Sequence, residues 1–382
     1  MTQFQSSVIP LLALLFIFEP SLLCHHASAF TLKSQTPVKA LFQRHLSSLP
    51  SSSSHLFSNI GEDTTASTEG IFRPFMAYAW DKLQSSGLIE SDTQSNENNE
   101  IIKNSSPSKG SPDGTVVNVE IKSLNGKEGG SLRLGRYALL ETLTPFSAST
   151  SSTIGDSDSS DDATAESAMV SYNKGIHVLN LVLFPTISDQ LMLPLPVLGM
   201  DLVTLPGGKH LIAIDFQPIL PNDPDLEQEE EQVRTIFPTD GKYKKYEEQI
   251  KNLHQTHVLN QSDVVPWGGD IPSAASRFFS PYALWTRLKD EKGLDIVRNE
   301  VYVAFCAYFD LYVEILLDVQ HDLELLSDDS NDHGNDTTHI EMGHRDYLTY
   351  RKENDPARPM LTRLYGNEWT ESVISEILFK MI

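Results

Sequence analysis

Three polar residues interrupt apolar runs in which no polar side chain is expected. Asn180 stands in IHVLNLVLF (176–184), and Asp201 and Asp215 stand in VLGMDLVTLPGGKHLIAIDFQP (197–218). Both runs have the composition of strands, so alternation decides which side chains share a face. Asn180 shares one with Ile176, Val178, Val182 and Phe184. Asp201 lies with Val203 and Leu205, and Asp215 with Leu211 and Ala213. Burying an unpaired carboxylate is costly and raises its pKa toward neutrality. An acid still protonated near neutral pH can donate a proton, so these positions suit general acid catalysis. Each also has a structural reading. Asp201 and Asp215 could end strands by bonding turn amides, a role favoured for Asp215 beside Phe216, Gln217 and Pro218. Asn180 could be a satisfied core amide. Asp355 precedes Pro356 in ENDPARP, the arrangement of a helix cap followed by Pro at the first helical position. On residue physics alone the cap is its role.

The elements that must position these residues change period along the chain. A helix is expected over Ile71–Ser85, with a loop over 91–114. Strands are expected at Val116–Ile121, Leu132–Leu143 and Ile176–Phe184, and at 200–205 and 209–216, the last two joined by Pro206-Gly207-Gly208. Helical spacing follows at Tyr282–Lys289, Asp295–Leu325, Tyr347–Lys352 and Met360–Ile382. Strands first and helices later, with hairpin-length links, predict an α+β fold with an antiparallel sheet.

The formal charge of −23 is local. Residues 147–168 hold five acids, 222–231 six and 318–341 eight, with no Lys or Arg in any of them. Such tracts are expected as solvated loops, and a nucleic-acid binder would need a basic face instead. Two cysteines, Cys24 and Cys306, exclude a disulfide framework and a Cys-rich metal site. The twelve histidines show no metal-ligand spacing, and no phosphate-cradling, dinucleotide or zinc-protease motif is present. The start reads as an address. VIPLLALLFIF (8–18) followed by the small residues 27–29 has the pattern of a signal peptide over 1–29. Residues 30–68, hydroxyl-rich and without an acid until Glu62, read as a plastid transit peptide and linker. Import into a secondary plastid through the endomembrane system is expected, with a mature domain over 69–382 that does not cross a membrane and binds no nucleic acid.

Three segments taken together carry a resemblance. They are LNLVLFP (179–185) with LPVLGMDLVTLPGGKHLIAIDFQP (195–218), PWGGDIPSAASRFFSPYALWTR (266–287), and YRKENDPARPMLTRLYGNEWTESVISEILF (350–379). These resemble the ferredoxin-dependent bilin reductases. The resemblance implies a three-layer α/β/α sandwich with a central antiparallel sheet, holding an open-chain tetrapyrrole between the sheet and C-terminal helices. It implies no bound metal or other cofactor. Electrons come singly from reduced [2Fe-2S] ferredoxin while buried acids supply protons.

On this reading Asp201 matches the sheet Asp facing the bilin, and Asp355 the helix-side Asp opposite it, which overrides its cap role or adds to it. Glu141 matches a pocket Glu. Asn180 stands where phycocyanobilin-forming members carry His, which points to phycoerythrobilin or phytochromobilin formation. The segments at 203–218 and 267–287 favour the branch that converts 15,16-dihydrobiliverdin to phycoerythrobilin. The alternatives are biliverdin to 15,16-dihydrobiliverdin or to phytochromobilin, or a bilin carrier without chemistry. Arg277, Arg287 and Arg358 are the candidates for the two propionates. Lys242, Lys244 and Lys245 are possible contributors to a basic ferredoxin surface. The departures are insertions near 91–114, 147–168 and 325–340, and Lys380 where an Asp is common. A monomer is expected, with a preceding bilin reductase or a receiving chromoprotein as further partners.

Overall fold

The structure, a computed structural model, describes residues 70–89, 104–107, 116–143, 175–187, 194–219, 236–237, 242–266, 268, 278–327, 338–355 and 357–381. The leader and the acidic tracts at 147–168 and 222–231 lie outside the described residues. Helix α1 (Arg73–Ser85) is followed by six strands: β1 (Asn104–Pro107), β2 (Val116–Asn125), β3 (Leu132–Leu143), β4 (His177–Pro185), β5 (Val197–Leu205) and β6 (Lys209–Gln217). After α2 (Lys244–His257), strand β7 (Leu284–Lys289) completes the sheet. Helix α3 (Asp290–Ile296) then passes through a π-helical turn (Val297–Val301) into α4 (Tyr302–Ser327). The chain ends in α5 (Thr338–Glu353), α6 (Arg358–Tyr365), α7 (Asn367–Ser372) and a second π-helical turn, Val373–Leu378.

All seven strands pair antiparallel with their sequence neighbours, giving the order β1-β2-β3-β4-β5-β6-β7. The β5–β6 link needs left-handed backbone, and Gly207 (φ 87°) and Gly208 (φ 68°) supply it. Alternation sends side chains to two apolar clusters. Leu179, Leu181, Leu198, Met200, Ile212, Ile214 and Phe216 belong to one, with Phe75 and Ala79 of α1, Tyr246 and Ile250 of α2, and Phe305, Tyr308 and Tyr312 of α4. Ile121, Ala138, Val178, Val182 and Phe184 belong to the other, with Tyr347 and Leu348 of α5, Leu361 of α6, and Val373 and Ile374. The mixed helix and antiparallel sheet is the expected α+β class.

Two local expectations are corrected. Tyr282–Lys289 is a strand rather than a helix: LWTRLK alternates Leu284, Thr286 and Leu288 toward the core with Trp285, Arg287 and Lys289 away from it, and it pairs with β6. Met360–Ile382 is not one helix, because the chain breaks at Gly366 between α6 and α7. Helix α2 carries a narrow stripe, with Tyr246 and Ile250 buried, and was not foreseen. Neither was β1, which falls within the expected loop.

Candidate active site

Strand pairing brings Ile121, Ala138, Asn180, Asp201, Ala213 and Trp285 into one row across six strands. Asn180 and Asp201 are direct Cα partners, and the Asn180 Nδ2 donates to Asp201 Oδ1. Asn180 is buried, whereas the Asp201 side chain keeps 21% exposure. The exposure follows from what covers the sheet. Around Asp201 the face is half-open: Val203, Leu205, Leu211, Ala213, Trp285 and Arg287 all alternate with fully buried neighbours. They form an apolar floor with the aspartate at one end and a cation at the other, suited to a flat, largely apolar ligand with acidic substituents.

Helix α5 supplies the opposite wall. Arg351 Nη2 lies 3.0 Å and 3.3 Å from the two Asp201 carboxylate oxygens, its guanidinium 5.1 Å over the ring of Phe379. Its side chain is 5% exposed. Burial alone would lower the Arg351 pKa, but Asp201, Tyr347 and Asp355 outweigh it and the net direction is up, so the guanidinium stays charged. Two residues past the end of α5, Asp355 is also buried. Burial pushes its carboxyl up to about 6, with Arg351 pulling against it and Asp201 adding to the rise. Asp355 Oδ1 accepts the Ala357 N–H at 2.8 Å, so the residue turns the chain into α6 while facing the arginine and sheet aspartate electrostatically. The cap expected of Asp355 is corrected: α6 begins at Arg358 with Ala357 as its N-cap, so Asp355 holds the turn that precedes the helix. The arrangement joins a solvent-reachable carboxylate, a permanently charged guanidinium and a buried acid of near-neutral pKa, which can hold and deliver protons beside an apolar floor.

Arg351 was missed by reasoning from the sequence, although a signal existed. Tyr347 and Arg351 are spaced i, i+4 and both are buried on the side of α5 that meets the sheet, with Asp355 buried just beyond the helix end.

The other expected site residues separate. Glu141 is corrected: it has the parity of Tyr137 and Leu139, whose cluster is that of α1 and α4, so it points away from Asp201. There it is 2.5 Å from the partly exposed Arg73 guanidinium at the start of α1, an ion pair that ties that helix to β3. Arg358 donates to Glu371 and to the Lys352 carbonyl. Arg287 remains on the floor face, 5.2 Å from the Trp285 ring, with its buried Nε unpartnered. Arg277 lies outside the described residues. Lys242 and Lys245 are engaged by Asp322 and Asp318 of α4, while Lys244 is exposed. Among the described residues no cluster of His, Cys, Asp and Glu could hold a metal, and no helix is long and apolar enough to cross a membrane.

Comparison with known proteins places this geometry in a family. The sequence profile of the ferredoxin-dependent bilin reductases matches residues 164–380. The chain is 38% identical over 215 residues to phycoerythrobilin:ferredoxin oxidoreductase of Nostoc punctiforme, covering 56% of this chain and 69% of the relative. It is 39% identical over 206 residues to the enzyme of that name from Gloeobacter violaceus, covering 54% and 69%. Its fold is similar to that of phytochromobilin synthase from tomato, crystallised with biliverdin. The TM-score is 0.50 at 21% identity, over 81% of this chain and 82% of that one. The chain belongs to the ferredoxin-dependent bilin reductases, oxidoreductases that reduce a bilin with electrons from ferredoxin.

Proposed function

We propose that the chain reduces 15,16-dihydrobiliverdin to phycoerythrobilin, with Asp201 and Asp355 as proton donors on opposite sides of the bilin. The observation that carries the reading is the meeting of Asp201 and Arg351 over a half-open apolar floor, with the buried Asp355 beside them. Reduction of one double bond takes two electrons, one from each of two reduced [2Fe-2S] ferredoxins, and two protons. Each electron raises the basicity of the tetrapyrrole, so the neighbouring acid delivers its proton when charge has developed. Arg351 sets a fixed positive charge beside Asp201 at the edge of the half-open floor. Asn180 holds Asp201 through an uncharged amide, which supplies no third titrating group. Arg287, at the far edge of the floor, pairs with a propionate. The overall similarity to the enzymes from Nostoc and Gloeobacter supports this branch of the family over the others.

Helices on both sides of the sheet support a three-layer sandwich, with the bilin between the sheet and α5–α7. No bound cofactor is required, and the domain over 69–382 works as a monomer. Residues 1–29 and 30–68 deliver it to the plastid. An anaerobic assay with reduced ferredoxin, offering biliverdin and 15,16-dihydrobiliverdin separately, tests the proposal. Phycoerythrobilin formed from dihydrobiliverdin alone is the expected product. Dihydrobiliverdin or phytochromobilin formed from biliverdin would move the chain to another branch, and binding of both without turnover would make it a carrier.

A further inference from the structure

Asp215 has no part in the reading above, yet it is the most deeply buried carboxylate among the described residues. It sits on β6 as the Cα partner of Gly199, on the face of the sheet that carries Asp201. One carboxylate oxygen accepts the Ser280 N–H at 2.8 Å and the other accepts the Ser280 hydroxyl. Burial pushes this carboxyl up to about 7 against the pull of those bonds. The titratable groups that feel its charge are Tyr308 of α4 and Tyr347 of α5. Burying a carboxylate is destabilising, and an apolar pair would hold a loop at lower cost. Two bonds from one residue do what an apolar contact cannot: they fix both the position and the direction of the backbone at Ser280.

That backbone leads to α5. Two residues before Ser280, Phe278 stacks on Tyr350 at 4.4 Å and meets Tyr347 edge-on at 6.2 Å. Both tyrosines share a turn of α5 with Arg351. Tyr347 also donates to Gln217, two residues beyond Asp215 on β6. The helix that carries Arg351 to Asp201 is therefore registered on the sheet through Phe278 and Gln217, and the Phe278 strut is tied down at Asp215.

We infer that Asp215 is a positioning residue for the group formed by Asp201, Arg351 and Asp355, acting through Ser280 and Phe278. The inference rests on the reductase reading. Its test uses the full chain with Asp215→Asn, Ser280→Ala, Ser280→Thr and the Asp215→Asn/Ser280→Ala double variant. Anaerobic turnover of dihydrobiliverdin is measured beside thermal melting and bilin titration by absorbance. Loss of the tie is expected to lower kcat about tenfold in Asp215→Asn and in Ser280→Ala, with KM for the bilin unchanged and both variants still folding cooperatively. Ser280→Thr, which keeps the hydroxyl, should retain the rate, and the double variant should be no worse than the more damaging single one. An unchanged kcat in Ser280→Ala would overturn the inference. So would a loss matched by lost folding or lost bilin affinity, or effects that multiply in the double variant. A wild-type chain that reduces neither bilin would sink the reductase reading itself.

Discussion

Arg351 connects the two candidate acids, and what it does follows from its charge. It is buried against Asp201, so removing the guanidinium leaves that carboxylate without its cation partner. Arg351→Gln should therefore lower kcat by about 10²-fold, measured as turnover against wild type. Asp355 makes a second prediction. On the proposed mechanism its protonated form is the donor, and burial holds its carboxyl at about 6. The rate of bilin protonation should fall as the pH rises through that value, and Asp355→Asn should abolish that limb of the profile. A profile that is flat from pH 5 to 8 would contradict the assignment. Much of this group was legible beforehand. Asp201 stood out as a charge in a strand, and Asp355 came through the motif that surrounds it. Arg351 did not, because an arginine in YRKEN reads as one more surface charge until the helix is seen to turn it inward. Glu141 failed for the opposite reason: one position along a strand reverses the face.

At the level of elements, α5 must lie at one height over β5 and β6. Gly199 permits that. A Cβ there would stand 2.4 Å from Gln217 Oε1, the atom that accepts the Tyr347 hydroxyl. Gly199→Ala should push Gln217 aside, break that bond and cost ~1–3 kcal/mol of stability, read from chemical denaturation. Unchanged stability would mean that Gln217 moves freely and α5 is held elsewhere. The strands β3 to β6 were readable because their apolar runs are long and are bounded by turn residues. Strand β7 was not, since Leu284 and Leu288 fit a helical as well as an extended spacing, and only the open edge of β6 decides between them. Helix α2 hid behind lysines and glutamates, with too few apolar positions to declare a period.

For the whole molecule, buried titratable groups set a pH dependence with two opposing parts. Burial lowers His177 and His344 from 6.5 to about 4, so the stability they contribute is full above pH 6.5 and is lost as the pH falls toward 4. Asp215 does the reverse. Its carboxyl is raised from 3.8 to about 7, so its contribution is full below 3.8 and is lost as the pH rises toward 7. Asp215→Asn removes only the second part, and its stability relative to wild type should rise steadily between pH 4 and pH 7 by an amount on the order of a few kcal/mol. Denaturation of both proteins at several pH values measures this, and parallel curves would contradict it.

The central claim is that a buried aspartate protonates the bilin after an electron arrives, and a single-turnover experiment with Asp355→Asn tests it most directly. The variant is mixed anaerobically with dihydrobiliverdin and reduced ferredoxin and followed by absorbance and electron paramagnetic resonance. The account predicts that the bilin binds, accepts an electron and accumulates as a radical without forming phycoerythrobilin. Formation of phycoerythrobilin at the wild-type rate, with no radical accumulating, would contradict it.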